Sequence, residues 1–143
     1  ELYDLRILLE CYAIEQLCKM EPEQLKQALQ TLVNLWCIQP ERFLHDLKTL
    51  SMQDEAFHCQ LVEAIGNSEM AKVHRDVSEK IRIIRRLDFS KDYRIDATYA
   101  EHQKILEQIL SKNKDLALES IQAHIIQSRD AVKKITLEML ALL

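Results

Sequence analysis

A chain of 143 residues suits one domain with a single core and is short for two. Its 48% hydrophobic and 29% charged residues are ordinary for a globular protein, while a formal net charge of −4 argues against a broadly basic, nucleic-acid-binding surface. With one glycine and two prolines the chain cannot supply the closely spaced turns of a strand-rich fold, so the expected class is all-α.

Taken in chain order, residues 2–19 read as a first amphipathic helix with Leu2, Leu5, Leu9, Ala13 and Leu17 inward. Pro22 stands where a first helical turn tolerates proline, opening a second helix over 22–36. Pro40 predicts a shorter third helix over about 40–49. Ser51, with Asp54 three residues on, has capping-box spacing and opens a fourth that stops at Gly66-Asn67. Ser68 caps a fifth helix reaching about Leu87. The stretch "DFSKDYRID" (88–96) lacks a period and reads as the longest loop. A sixth helix covers about 96–112, Asn113 interrupts, and Asp115 caps a last helix to about Leu142. Six or seven helices joined by short loops imply an antiparallel bundle. There is no internal repeat or linker, so residues 1–143 form one domain.

The run "RDVSEKIRIIRR" is locally basic, but its isoleucines fall at helical spacing, which describes a helix with a cationic solvent face. Cys11, Cys18, Cys37 and Cys59 form no CxxC pair. Free thiols on apolar helical positions suit a reducing cytoplasm, and no apolar run is long enough for a membrane span. The chain begins at Glu1 without methionine and is expected to be a fragment.

In a bundle, sites are built from inward polar side chains on facing helices. Three histidines qualify. His58 shares a stripe with Asp54, Leu61 and Ile65; His102 with Thr98, Ile105 and Ile109; His124 with Ala117, Ile121 and Ala131. A lone histidine on an apolar face is usually a core residue. Three on separate helices, one paired with an aspartate at i−4, share one explanation: a metal ion bound by Asp54, His58, His102 and His124. Neutral imidazole and carboxylate suit zinc, nickel, manganese or iron, and a cation offsets the penalty of burying the carboxylate. His45 and His74 sit among charged neighbours and are expected to be exposed or half-exposed. Arg6 lies on the inward stripe of the first helix. It reads as a snorkelling side chain or an ion pair with Glu10 at i+4, or as an inward guanidinium available to a carboxylate.

The segments "LRILLE", "DEAFHCQLVEAIGN", "EHQKILEQIL" and "AHIIQS" together resemble the FCD domain. That domain is the C-terminal effector-binding half of the FadR subfamily of GntR-type bacterial transcription regulators. The resemblance covers nearly the whole chain. It implies an antiparallel bundle of six or seven helices holding a divalent metal, zinc first, on Asp54, His58, His102 and His124. It also implies a homodimer, and a winged helix-turn-helix domain N-terminal to this chain that binds operator DNA. The expected function is therefore that of a ligand-sensing domain. A small organic acid would take the open positions on the ion and pair with Arg6. Asn67, of the G-N pair, and Arg85, beside the inward stripe of the fifth helix, are further candidates for effector binding, although Asn67 also suits a purely structural role as an αL cap. Two other readings use the same ligands: a metal-dependent hydrolase, and a site that is structural or senses the metal itself.

Overall fold

The computed structural model describes residues 1–85 and 94–143; the side chains of Ile84, Arg85 and Ile135 are outside the described set. Among these residues are six α-helices and one 3₁₀ turn, and no strand. The helices are α1 (Leu2–Cys18), α2 (Pro22–Trp36), α3 (Leu47–Glu63), α4 (Ser68–Arg85), α5 (Arg94–Leu110) and α6 (Lys114–Ala141); the turn is Pro40–Arg42. The all-α bundle expected from composition is the observed class.

α1 packs against α3, α4, α5 and α6, so it is the axis around which the others stand. Its inward face is Arg6, Leu9, Glu10, Ala13, Ile14 and Leu17. Leu5, expected inward, is 36% exposed, because the buried face is centred on the Arg6–Glu10 row instead. α2 carries a stripe of Leu25, Leu29, Leu32 and Trp36 at i, i+4, i+7 and i+11, and lays it on α5 and α3. Its open C-terminal carbonyls are met by Gln103, whose Nε2 donates to Trp36 O at 2.9 Å and Ile38 O at 3.3 Å; unmet carbonyls at a helix end are a liability otherwise.

α3 and α4 form an antiparallel hairpin. Glu55 bonds Arg82, Cys59 meets Ser78, and Glu63 meets Arg75, so one helix ascends as the other descends. The turn between them uses Gly66 at φ +77°, a left-handed backbone that glycine adopts without strain. Asn67 follows, and its Oδ1 accepts from Met70 N at 3.0 Å. It thus caps the start of α4, whereas the αL residue is Gly66. α5 ends with Lys112 at φ +58°, with Asn113 N donating back to Gln108 O at 2.9 Å. Asn113 then caps α6 by accepting from Leu116 N, the role expected of Asp115.

Two expected boundaries differ. The third helix over 40–49 does not form: a single 3₁₀ turn gives way to extended backbone at Phe43. Tertiary contacts hold that strand-like stretch, with Phe43 stacked on Tyr99 at 3.8 Å and Leu44 N donating to the Tyr99 hydroxyl at 3.1 Å. α3 therefore starts at Leu47 behind Asp46, and Ser51 lies inside it. Of the expected loop 88–96, residues 94–96 are helical and the rest lies outside the described residues. No described helix is long and apolar enough to cross a membrane.

Candidate metal centre

The middle of the bundle is polar. α3 brings Asp54 and His58 inward one turn apart, between Leu50 and Phe57 on one side and Leu61 on the other. α5 brings His102 and α6 brings His124, each on a mostly apolar buried face, with Ile105, Leu106 and Ile109 on α5 and Ala117, Ile121 and Ile125 on α6. The four residues are all buried, and each offers a ligand atom within 4.8 Å of those of the others. The three Nε2 atoms converge on Asp54 Oδ1, at 2.8 Å from His102, 3.6 Å from His58 and 3.9 Å from His124. The Nε2 atoms of His58 and His124 are 3.1 Å apart. An ion with bonds of about 2.1 Å sets neighbouring donors about 3.0–3.4 Å apart and opposite ones about 4.2 Å apart. The donor set therefore suits a divalent metal in kind, and its separations of 2.8–3.9 Å lie within a few tenths of an ångström of those spacings.

The contacts of the outer ring nitrogens bear on whether a cation would fit there. His58 Nδ1 is bonded to Glu10 Oε1, and His124 Nδ1 lies 3.4 Å from Glu101 Oε1. Where both outer nitrogens carry their protons toward these carboxylates, both Nε2 lone pairs point at each other and at a carboxylate oxygen. A cation among them, or a proton shared between the two rings, would turn that repulsion into attraction. Burial, then the nearby Arg6 charge, brings His58 down to about 4 against the pull of Glu10. Burial likewise brings His124 down to about 4, with Glu101 opposing and His58 assisting. Both rings are thus neutral near pH 7, the form that ligates metal. His102 is aimed by its neighbours: it stacks on Phe57 at 3.8 Å, with planes 5° apart, and meets Trp36 edge-on at 4.1 Å.

Arg6 is buried, and its Nε donates to Glu10 Oε2 at 2.8 Å. Of the readings from the sequence, the i+4 ion pair is therefore present, and a snorkelling side chain is not, because the guanidinium is buried. One edge of the guanidinium makes the i+4 ion pair, and Nη2 is buried with no hydrogen-bond partner among the described residues. A narrow crevice lined by Arg6, Glu55, His58, Ser78 and Ile81 lies beside it.

The other sequence candidates fall differently. Asn67 is exposed and engaged as a cap; nothing links it to the buried cluster among the described residues. Arg85 is the last residue of α4, and its side chain lies outside the described residues. His45 is exposed, as expected. His74 is not: it is fully buried, with Nε2 3.0 Å from Glu10 Oε2 and Nδ1 3.5 Å from Ser78 Oγ. Its charged neighbours Lys72 and Arg75 are exposed. The row Ala71, His74, Ser78, Ile81 at helical spacing, all buried, is the signal that could have found it.

Glu10 was also missed as a site residue. It is fully buried and takes Arg6, His58 and His74 together. Burial opposes its charge, but His58 and Arg6 outweigh this and hold its carboxyl well below the usual range. Pairing with Arg6 at i+4 reads as a surface ion pair in sequence; only the central position of α1 makes it an interior one.

The FCD domain matches residues 1–127. The chain belongs to the FCD domain family. This bears out the resemblance carried by the four sequence segments, and with it the kinship to GntR-type transcription regulators. Among curated proteins, this FCD domain is similar to three regulators. It is 27% identical over 128 residues to an uncharacterized HTH-type transcriptional regulator, YdhC, of Bacillus subtilis, covering 87% of this chain and 55% of that protein. It is 27% identical over 135 residues to the Nta operon transcriptional regulator of Aminobacter aminovorans, covering 94% and 61%. It is 25% identical over 150 aligned residues to the gluconate operon transcriptional repressor of Bacillus subtilis, covering 99% and 60%. The chain thus spans little more than half the length of these relatives. No solved structure matches it at the same stringency.

Proposed function

We propose that this FCD domain is the ligand-sensing part of a transcription regulator. It binds a divalent metal, zinc first, through Asp54, His58, His102 and His124, and a small carboxylate effector beside it. The observation that carries the reading is the 3.1 Å approach of the His58 and His124 Nε2 atoms over Asp54. The ion would supply a Lewis-acid anchor for carboxylate oxygens. The chain's own contribution is the Arg6 Nη2 edge, buried beside His58 and lacking an acceptor, which suits the other oxygen of the acid. Asn67 drops out of the effector set as a cap, and Arg85 stays a weaker candidate.

The crevice is narrow, so effector binding requires its walls, which come from α1, α3 and α4, to shift. A ligand that favours one arrangement of helices draws the population toward it. In a homodimer carrying N-terminal DNA-binding domains, that shift would alter their spacing and so operator affinity. The relatives, an HTH-type regulator and an operon repressor among them, support this assignment.

The complete burial of Asp54 and His102 favours a second reading, in which the ion staples the bundle or is itself the signal. The hydrolase reading is weaker. Glu10, the remaining fully buried carboxylate among the described residues, is engaged by Arg6, His58 and His74 and is poorly placed to act as a general base. The test is to strip the protein with chelator, restore zinc, and then add small hydroxy- and dicarboxylates while following the melting temperature. A rise with zinc and a further rise with an acid supports the effector sensor. A rise with zinc alone supports the staple, and no zinc binding refutes both.

A further inference from the structure

We propose that Glu10 is the positioning residue of the metal centre: its carboxylate holds His58 as the Nδ1–H tautomer, and Arg6 and His74 clamp the carboxylate. The inference deepens the metal reading and rests on it. The two oxygens of Glu10 divide the work. Oε1 takes His58 Nδ1, while Oε2 accepts from Arg6 Nε at 2.8 Å and lies 3.0 Å from His74 Nε2. The partners come from α1, α3 and α4, so one side chain on the central helix ties a ligand-bearing helix to two others. With its Nδ1 proton committed to Glu10, His58 has a lone pair only on Nε2, and that atom is the one 3.6 Å from Asp54 and 3.1 Å from His124. Carboxylates of this kind orient a ligating imidazole and raise its basicity.

The clamp explains why an acid is needed. A glutamine at position 10 offers one oxygen, enough for His58, but its NH₂ would then face Arg6 Nε and His74, donor against donor. Glu10→Gln should therefore keep the tautomer while loosening the ring's placement. On the other side of the cluster, Glu101 stands 3.4 Å from His124 Nδ1 and is itself half exposed, so it offers a looser version of the same support.

The experiment has two arms. Ring ¹⁵N spectra of the metal-free parent, with His58 assigned from a His58→Gln variant, should show His58 protonated at Nδ1; protonation at Nε2 overturns the proposal. Competition with a chelating zinc indicator should show Glu10→Gln binding about 10–100-fold more weakly than the parent, and the exposed-site control His45→Gln binding as tightly as the parent. A folded Glu10→Gln protein that binds zinc within twofold of the parent also overturns it. If the parent takes up no metal, the metal reading fails, yet the tautomer in the parent still decides whether Glu10 orients His58. That arm needs no variant at position 10, so it also decides the matter if Glu10→Gln does not fold.

Discussion

His58 and His124 approach through their Nε2 atoms at 3.1 Å in the core of the bundle, one ring nearly parallel to the other at 19°. On the metal reading proposed above, two neutral imidazoles in that relationship over the Asp54 carboxylate would share a cation. Removing His124 or Asp54 should therefore abolish tight metal binding without unfolding the domain. In the parent, metal at 100 times its dissociation constant should add about 2.7 kcal/mol to stability. In Asp54→Ala and His124→Ala the same addition should leave the melting temperature unmoved. A calorimetric titration of each chelator-treated protein checks this, and parent-like affinity in either variant would mean that the site is wrongly placed.

The Arg6–Glu10 pair is buried at both ends, with side chains 3% and 0% exposed. Taking away one member of such a pair strands the other. Arg6→Leu should destabilise by about 3 kcal/mol, the low end for a broken buried pair, since His58 and His74 still face Glu10. It should also abolish any response to a carboxylate effector. A double variant, Arg6→Leu with Glu10→Gln, should lose less stability than the sum of the singles. Urea unfolding of the four proteins measures the coupling; strict additivity would show that the pair contributes nothing as a unit.

His74 makes stability depend on pH on the alkaline side. Burial lowers its affinity for a proton, but its contacts with Cys59 and Glu10 more than compensate and raise it from 6.5 to about 9. The folded state therefore holds this proton more tightly than the unfolded chain. The contribution, on the order of 3 kcal/mol, is fully present below pH 6.5 and fades as pH rises toward 9. His58 and His124, lowered to about 4, act oppositely: the unfolded chain takes their protons first, so the metal-free protein weakens as pH falls from 6.5 toward 4. Denaturation midpoints in chelator should peak between these limbs. His74→Gln should flatten the alkaline limb alone; an unchanged slope between pH 7 and 9 would contradict the assignment.

The buried cluster of Asp54, His58, His102 and His124 was legible because histidine and aspartate are conspicuous on apolar stripes; the residues behind it were not. Asp54 and His58 interrupt a row of leucines, and a single stripe announces them. His74 instead sits beside charged residues that mask an equally regular row, and Glu10 has Arg6 four residues before it, so the two read as a surface ion pair. Their burial follows from α1 having neighbours on four helices, which no local pattern reveals. The same limit explains the segment after Pro40. Proline there suits a first helical turn, but the stacking of Phe43 on Tyr99, 56 positions away in sequence by their numbering, draws the backbone out straight.

The turn at Gly66 offers a test of backbone strain free of packing. Its φ is +77°, and a Cβ built there meets nothing within 4 Å. Gly66→Ala should therefore destabilise by about 1 kcal/mol through left-handed backbone strain alone. Gly66→Asn should lose less, because asparagine tolerates that region better. Thermal unfolding distinguishes the two, and a loss several times larger for alanine would mean that the turn is packed more closely than its geometry indicates.

Phe57 connects packing to the centre most directly. It is fully buried, lies face to face with His102 at 3.8 Å, and meets Trp36 edge-on at 5.7 Å. Phe57→Ala should destabilise by about 3–5 kcal/mol through the cavity it leaves. It also removes the surface that aims His102 at Asp54, so zinc affinity should fall as well. Leu61→Ala, an equally buried change on the same helix, opens a cavity of similar kind and keeps the Phe57 ring that stacks on His102. Comparing zinc affinity in the two folded variants separates aim from stability. Weaker binding in Phe57→Ala alone means that the aromatic face positions the ligand; equal loss in both means that binding follows the overall firmness of the core.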